Sequence, residues 1–147
     1  MPDEATEMRE TRGRYRFFLP IQTRWNDNDT YGHVNNAVYY EYFDTTVNRF
    51  LVDEGGLDIH AAPAIGLVVE SLCRYRAALS YPQSVEAGLR VGHLGRSSVR
   101  YEVGIFAAGA HETAADGHFV HVFVDRASNR PHPIPDRIRA ALERIRS

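Results

Sequence analysis

The feature that most constrains the fold of this chain is the segment from Asn35 to Glu54. It contains no glycine or proline, and its apolar residues recur at spacings of three and four positions, which is the pattern of an amphipathic helix. Those residues are Tyr39, Tyr40, Phe43, Val47, Phe50 and Leu51. The side chain of Asn35 or Asn36 can cap the helix start, and the following Gly55 and Gly56 predict its end. A helix of about five turns with one apolar face needs a cover of similar length.

The remaining chain supplies that cover as five extended segments in which apolar and other residues alternate. They run from Tyr15 to Trp25, Ile65 to Leu79, Val85 to Leu94, Ser98 to Ala107, and about Thr113 to Asp125. Short connections at 95–97 and 108–110 predict antiparallel hairpins, and Pro20 favours a sheet edge for the first strand. We therefore predict an α+β fold, with a five-stranded antiparallel sheet wrapped around one long helix and a short helix from about Pro135 to Arg146.

Alternation within the strands also predicts which side chains share a face of the sheet. In the second strand one face should carry Leu67, Val69, Ser71, Cys73 and Tyr75. In the last strand His118 and His121 lie three positions apart, which predicts opposite faces. No third ligand stands at a suitable spacing, so we expect no metal site.

The chain of 147 residues is long enough for one domain with a full core. Residues 1–13 are charged and carry almost nothing apolar, which predicts a mobile tail before a single domain at 14–147. No apolar run approaches the roughly 20 residues needed to cross a bilayer, and the start is not a signal sequence, so we expect a cytoplasmic protein with no membrane partner. The net charge of -2 gives no sign of a nucleic-acid partner.

The polar segment between the first strand and the helix carries the densest chemistry in the sequence. The carboxylate of Asp29 could act as a nucleophile or as a base on water. Free backbone N–H groups at the helix start, near Asn36, could stabilise a developing oxyanion. The simpler interpretation of an aspartate in such a loop is a turn or capping residue, and it fits Asp27 better than Asp29. Gly32 is best explained as a backbone residue that a tight or positive-φ turn needs.

His33 has two interpretations: it could orient a water or donate to the reacting group, or it could only pack against the loop or hydrogen-bond to it. The sequence contains neither a G-x-S-x-G motif nor a Gly-rich phosphate loop before a helix. These observations favour a carboxylate mechanism that needs no cofactor.

The chain resembles the 4-hydroxybenzoyl-CoA thioesterase-like branch of the hotdog superfamily. That family is marked by D-x-D-x-x-G followed by a polar stretch and a tyrosine-rich helix, which matches here at Asp27, Asp29, Gly32, His33-Val34-Asn35-Asn36, Tyr39, Tyr40 and Tyr42. The similarity continues through Val69-Glu70-Ser71, Leu94-Gly95-Arg96-Ser97-Ser98 and Arg130-Pro131-His132-Pro133-Ile134-Pro135. It covers essentially the whole chain after the tail.

The resemblance implies hydrolysis of an acyl-CoA thioester, with CoA present only as part of the substrate. It assigns the catalytic carboxylate to Asp29 and the polarising backbone amide to a position near Asn36. It also implies a homodimer joined edge to edge through the sheets, with active sites at the subunit boundary, and in many relatives a homotetramer.

Other residues are candidates for binding the substrate. Tyr39 and Tyr40 could line an acyl pocket, although aromatic residues at helical spacing are more often core. Glu70 stands between apolar neighbours, and a salt bridge to an arginine is the expected explanation. The CoA phosphates need cations, for which the sequence offers Arg74, Arg76, Arg96 and Arg100. Each of these arginines could equally be an exposed charge that keeps a sheet edge soluble.

Several alternatives stay open at this point. Glu41 and Asp44 lie on the long helix, where another hotdog branch carries its catalytic carboxylate, but their neighbours favour a solvated or interface face. The domain could bind an acyl thioester without hydrolysing it, or could hydrate or dehydrate a 2-enoyl thioester with Asp29 and His33 as acid and base. Acyl carrier protein could replace CoA as the carrier.

Overall fold

The computed structural model describes residues 9–147 of the chain. They form five strands and two α-helices in the order β1, α1, β2, β3, β4, β5, α2. The bounds are Phe17–Gln22 for β1, Val38–Asp53 for α1, Ala64–Tyr75 for β2, Ser84–Leu94 for β3, Ser98–Ala107 for β4, Ala115–Asp125 for β5 and Asp136–Arg144 for α2.

The five strands make one sheet with the order β1-β3-β4-β5-β2, and every neighbouring pair is antiparallel. The predicted turn at 95–97 joins β3 to β4. The predicted turn at 108–110 follows β4 and leads into the segment before β5. The two edges are β1, which contains Pro20 as predicted, and β2. The α+β architecture predicted from the sequence is therefore confirmed.

Helix α1 lies against one face of the sheet, which we call the inner face. Its buried side chains are Tyr39, Tyr42, Phe43, Thr46, Val47, Phe50 and Leu51. All of these except Thr46 belong to the same hydrophobic core as Val99, Tyr101, Val103 and Ile105 of β4, which are fully buried. Each large apolar side chain buried in this way contributes about 1.5–3 kcal/mol. The apolar stripe of the helix is therefore what holds the sheet and helix together.

The helix begins three residues later than predicted. Asn35 does act at the helix start, but its side-chain Oδ1 accepts a hydrogen bond from the backbone N–H of Ala37 at 2.9 Å. The backbone N–H of Val38 then donates to the carbonyl of Asn35. This local turn precedes the first regular helical residue, as asparagine side chains favour.

A β-bulge at Val69 corrects the predicted faces of β2. Val68 lies opposite His121 and Glu70 lies opposite Val120, so Val69 is an extra residue in the strand. An extra residue reverses the alternation that follows it. Residues Ser71, Cys73 and Tyr75 therefore share the inner face, whereas Leu67, Glu70, Leu72 and Arg74 point to the outer face. The strand also ends at Tyr75, earlier than predicted.

Residues 1–8 of the predicted mobile tail lie outside the described residues. Residues 9–13 of that segment lie along the sheet and contact it. Arg12 forms an ion pair with Glu86 at 2.8 Å, and Glu10 pairs with Arg90 at 3.4 Å. The Arg90 guanidinium also lies over the Tyr15 ring at 4.7 Å. The charges that suggested a solvated tail instead find partners on the outer face of the sheet.

The two histidines of β5 point to opposite faces, as predicted. His121 faces inward, where its ring meets Tyr101, Phe119 and Phe123 edge-on with centroids 5.0–6.1 Å apart. It is 2% exposed, and burial lowers its pKa to about 4. His118 lies on the outer face.

His121 should make the protein less stable in acid. Its pKa is about 4 when folded and about 6.5 when unfolded, so below about pH 6.5 the unfolded chain binds a proton that the folded chain rejects. The free energy of unfolding should fall by up to about 3 kcal/mol between pH 6.5 and pH 4. Urea unfolding across this range measures the slope, which His121→Phe should reduce and the exposed-site control His60→Gln should leave unchanged. An equal slope in all three proteins would contradict this role.

Candidate active site

The loop between β1 and α1 is fixed by a buried carboxylate. Asp27 is fully buried and accepts hydrogen bonds from the backbone N–H of Arg24 at 2.9 Å, the Arg24 Nε at 3.0 Å and the Tyr42 hydroxyl at 2.8 Å. Burial alone would raise the pKa of Asp27, but these hydrogen bonds and the Arg24 charge hold it below its usual value. Asp27 therefore ties the loop to α1, in agreement with the structural role predicted for it.

Asp29 is held by the same loop but keeps one carboxylate oxygen available. Its Oδ1 accepts hydrogen bonds from the backbone N–H groups of Tyr31 at 2.8 Å and His33 at 3.4 Å. The backbone of Asp29 pairs with His33, and Gly32 adopts the predicted positive φ, at 81°, to close the turn. Within residues 9–147 the other oxygen, Oδ2, has no hydrogen-bond partner. The loop therefore orients the side chain through Oδ1 and leaves Oδ2 unpaired among the described residues.

An open cleft of about 390 Å³ lies between the start of α1 and the end of β2, and we call it the helix-start cleft. It is lined by Asp29, His33, Val34, Asn36, Tyr39, Tyr75, Arg76, Ala77 and Ala78. The fold therefore brings together all three residues predicted to be catalytic, which are Asp29, His33 and Asn36. His33 and Asn36 are exposed and Asp29 is half-buried.

The backbone N–H of Asn36 is the donor that the cleft offers to a ligand. In the described part of the chain it has no hydrogen-bond partner, whereas the next N–H, that of Ala37, is taken by the Asn35 side chain. The helix dipole adds positive potential at this point. An unpaired N–H beside a carboxylate is the donor and acceptor arrangement that acyl transfer requires.

Tyr75 belongs to the cleft and was not among the predicted site residues. Its hydroxyl donates a hydrogen bond to the carbonyl of Asn36 at 2.8 Å, and its ring meets Tyr39 edge-on at 5.2 Å. These contacts join the end of β2 to the first turn of α1. In the sequence Tyr75 is only one more alternating strand residue, so nothing there marks a contact with a residue far away in the chain.

Three of the predicted substrate-binding residues lie at or beside the cleft. Gly32 shapes the Asp29 loop, and Tyr39 lines the cleft although it is almost completely buried. Arg76 also lines it, but its guanidinium is engaged with Asp116 through bonds of 3.2 and 3.3 Å. Tyr40 does not line the cleft and packs against Phe43 instead.

Glu70 lies on the outer face and has a different partner from the one expected. Its Oε2 is 2.8 Å from Nε2 of His118, and Nδ1 of His118 is 3.2 Å from Nη2 of Arg100. An arginine can only donate, so Nδ1 accepts and Nε2–H donates to Glu70. The expected arginine partner was wrong because the bulge turns Glu70 towards His118.

Two of the predicted CoA-binding arginines lie away from the helix-start cleft. Arg74 points to the outer face, 3.8 Å from Asp116. Arg96 lies in the β3–β4 turn, beside the end of the sheet where β2 begins, whereas the cleft lies where β2 ends. The fold therefore separates Arg96 from Asp29 by most of the length of β2.

The rival carboxylates on α1 also lie outside the cleft. Glu41 is exposed and pairs with Arg24 at 3.2 Å, while Asp44 accepts a hydrogen bond from Asn48 at 3.0 Å. Across residues 9–147, no group of three or more His, Cys, Asp and Glu side chains is placed to hold a metal ion. No helix in this same range is long and apolar enough to cross a membrane.

Comparison with known proteins gives a family and several structural relatives. The model of the thioesterase-like superfamily matches residues 23–142. The PA5185 protein of Pseudomonas aeruginosa strain PAO1 is 54% identical, with a TM-score of 0.94, over 95% of this chain and 98% of that one. The PA2801 protein of Pseudomonas aeruginosa, described as a candidate thioesterase, is 34% identical, with a TM-score of 0.78, over 85% of this chain and 96% of that one.

More distant structures share the fold. A 1,4-dihydroxy-2-naphthoyl-CoA thioesterase from Synechocystis is 15% identical, with a TM-score of 0.77, over 86% of this chain and 94% of that one. At this identity the likeness is evidence of the fold alone. The comparison with curated proteins returned no match.

Removing the charge of Asp27 should loosen the loop that carries Asp29. Asp27→Asn keeps the size of the side chain but places an NH₂ group among donors, so the free energy of unfolding should fall by about 2 kcal/mol. Urea unfolding measures this loss. Asp44→Asn, a change of the same kind at an exposed position of α1, is the control and should cost much less. Equal stability of the two variants would show that the Asp27 network does not hold the loop.

Proposed function

The chain belongs to the thioesterase-like superfamily, and from that premise we propose that it hydrolyses the thioester bond of an acyl-CoA. One observation carries the proposal. The half-buried carboxylate of Asp29 and the unpaired backbone N–H of Asn36 line the same cleft. Both groups are needed for acyl transfer to water, and neither calls for a metal or an additional cofactor.

In the proposed reaction the thioester carbonyl lies in the helix-start cleft with its oxygen towards the N–H of Asn36. Asp29 either removes a proton from a water that attacks the carbonyl carbon, or attacks that carbon itself to give an anhydride that water then cleaves. The N–H of Asn36 and the helix dipole stabilise the oxyanion, and such a donor is typically worth about 3 kcal/mol of barrier. Collapse of the oxyanion breaks the C–S bond and expels the CoA thiolate, which gives the free acid in the first route and the anhydride in the second. The thiolate takes up a proton, for which His33 in the same cleft is a candidate donor.

Tyr75 supports this arrangement by holding the helix start in place. Its hydrogen bond to the Asn36 carbonyl fixes the position of that residue relative to β2. The rings of Tyr39 and Tyr75, with Val34 and Ala77, give the cleft an apolar wall for the acyl group.

We also propose that two copies of the chain pair through β2. This edge strand has twelve residues, and Leu67, Val68, Val69, Leu72 and Tyr75 are all at least 37% exposed. A long apolar edge is a template for pairing with another strand. An antiparallel pairing would bring the start of one β2 beside the end of the other, and with it Arg96 of one copy towards the Asp29 cleft of its partner. The distance between Arg96 and Asp29 within one chain is then no obstacle to a joint role.

Hydrolysis should depend on the Asp29 carboxylate. With a panel of acyl-CoA thioesters, Asp29→Asn and Asp29→Ala should lower the rate of thiol release by at least about a hundredfold on the better substrates. Asp44→Asn should retain wild-type rates. Near wild-type activity in Asp29→Asn would contradict the catalytic role of Asp29. No release from any thioester by the wild type would favour a binding module, and formation of a 3-hydroxyacyl product from a 2-enoyl thioester would favour a hydratase.

The β2 edge should control the oligomeric state. Val69→Lys places a charge in the middle of the exposed strand and should convert a dimer, or a tetramer built from it, into smaller species in sedimentation velocity. Ile59→Lys, at another exposed apolar position, is the matched control and should leave the assembly unchanged. A monomeric wild type, or an unchanged Val69→Lys assembly, would contradict pairing through β2.

A further inference from the structure

A second cleft lies on the other side of Asp29. Its volume is about 520 Å³, and it is lined by Trp25, Asn26, Asn28, Asp29, Thr30 and Asn35. Asp29 is the residue that it shares with the helix-start cleft. We propose that this Trp25 cleft binds the pantetheine arm of the substrate, an inference that rests on the proposed thioesterase function.

The charge of the cleft indicates which part of CoA it can bind. Asp29 is the single charged group in the lining, and the remaining side chains are neutral amides, a hydroxyl and an indole. The phosphates of the nucleotide would meet a carboxylate and no cation there, which is unfavourable. The arm is uncharged and polar, so the cleft matches it and not the nucleotide.

Two amide side chains of the cleft are fixed through their oxygens. Oδ1 of Asn28 accepts a hydrogen bond from the backbone N–H of Tyr81 at 3.0 Å, and Oδ1 of Asn35 accepts one from Ala37 at 2.9 Å. These bonds fix the two amides and leave each NH₂ group as a donor with no partner within residues 9–147. The pantetheine arm carries two amide carbonyls, which are the acceptors that such donors require.

Trp25 supplies an apolar wall for the rest of the arm. Its side chain is 77% exposed, although an indole of this size is usually buried at least in part. The Tyr81 ring contacts it in a T-shaped arrangement, with centroids 6.0 Å apart and planes at 84°, and Trp25 remains largely exposed beside this contact. The methylene groups and geminal methyl groups of the arm can pack on such a surface.

The shared position of Asp29 gives the bound substrate a direction. A thioester carbon placed at Asp29 would have its acyl group on the side of Tyr39 and Tyr75 and its sulfur on the side of Trp25. The two clefts would then hold the two halves of the molecule on either side of the bond that breaks.

Kinetics with shortened substrates test this inference. One acyl group is presented as its CoA, pantetheine and N-acetylcysteamine thioester, the last of which lacks most of the arm. Trp25→Ala should raise KM roughly tenfold for the CoA and pantetheine thioesters alike, and much less for the N-acetylcysteamine thioester. Ile59→Ala, which removes another exposed apolar side chain, should change none of the three. Equal changes for all three esters, or a change confined to the CoA ester, would overturn the assignment of the arm.

A binding measurement separates this inference from the proposed reaction. Trp25 is the only tryptophan in the chain, so the intrinsic tryptophan fluorescence reports on this cleft alone. Pantetheine should change the emission of Asp29→Ala protein in a saturable manner, and Asn28→Ala should weaken that response. Adenosine 3′,5′-bisphosphate should have little effect. If the wild type hydrolyses no thioester but pantetheine still gives a saturable response, the binding proposal stands and the proposed reaction is wrong. A response to the bisphosphate alone would overturn the assignment of the cleft.

Discussion

The candidate site depends on one buried carboxylate. Asp27 is fully buried. It bonds to Arg24, just after β1, and to Tyr42 of α1, and so joins the end of β1 to the helix. Because that junction is fixed, the loop that follows can hold Asp29 by one oxygen and present the other. The two aspartates thus differ in role: Asp27 stabilises the loop, and Asp29 lines the helix-start cleft with one carboxylate oxygen unpaired within residues 9–147. A loop of this length without such an anchor would not keep a carboxylate at a defined distance from the helix start.

Much of the fold could be predicted from the sequence because its signals are local. The helical stripe of α1, the alternating strands and the glycine turns each depend on neighbouring residues, and so does the turn that orients Asp29. The face of β2 could not be predicted, since the bulge at Val69 depends on its pairing with β5. The contact between Tyr75 and Asn36 spans 39 positions and has no local signal. The ion pairs of Glu10 and Arg12 likewise join residues far apart in the chain, so no local signal predicts them.

The structure also explains why the sequence alone could not show which arginines are placed to bind a phosphate. Arg74 and Arg76 flank Tyr75, which lines the helix-start cleft, yet Arg74 points to the outer face and Arg76 is already engaged by Asp116. Whether an arginine can bind a phosphate therefore depends on the direction of its side chain and on whether a carboxylate already pairs with it. Neutral amides such as Asn28 are less conspicuous in a sequence, yet in the structure Asn28 lines the Trp25 cleft beside Asp29.

The N-terminal segment across the outer face limits how the protein can assemble. Arg12 and Tyr15 cover Phe106 and the neighbouring glycines of β3 and β4, so that part of the outer face is closed by the chain itself. Stacking of two sheets through that region would require the segment to detach and its ion pairs to be broken. Further copies could pack only on surfaces that the segment does not cover. One such surface is the polar side of α1, which carries Asp44 and Asn48. Residues 9–15 act in this sense as a steric barrier that restricts how copies of the chain can pack together.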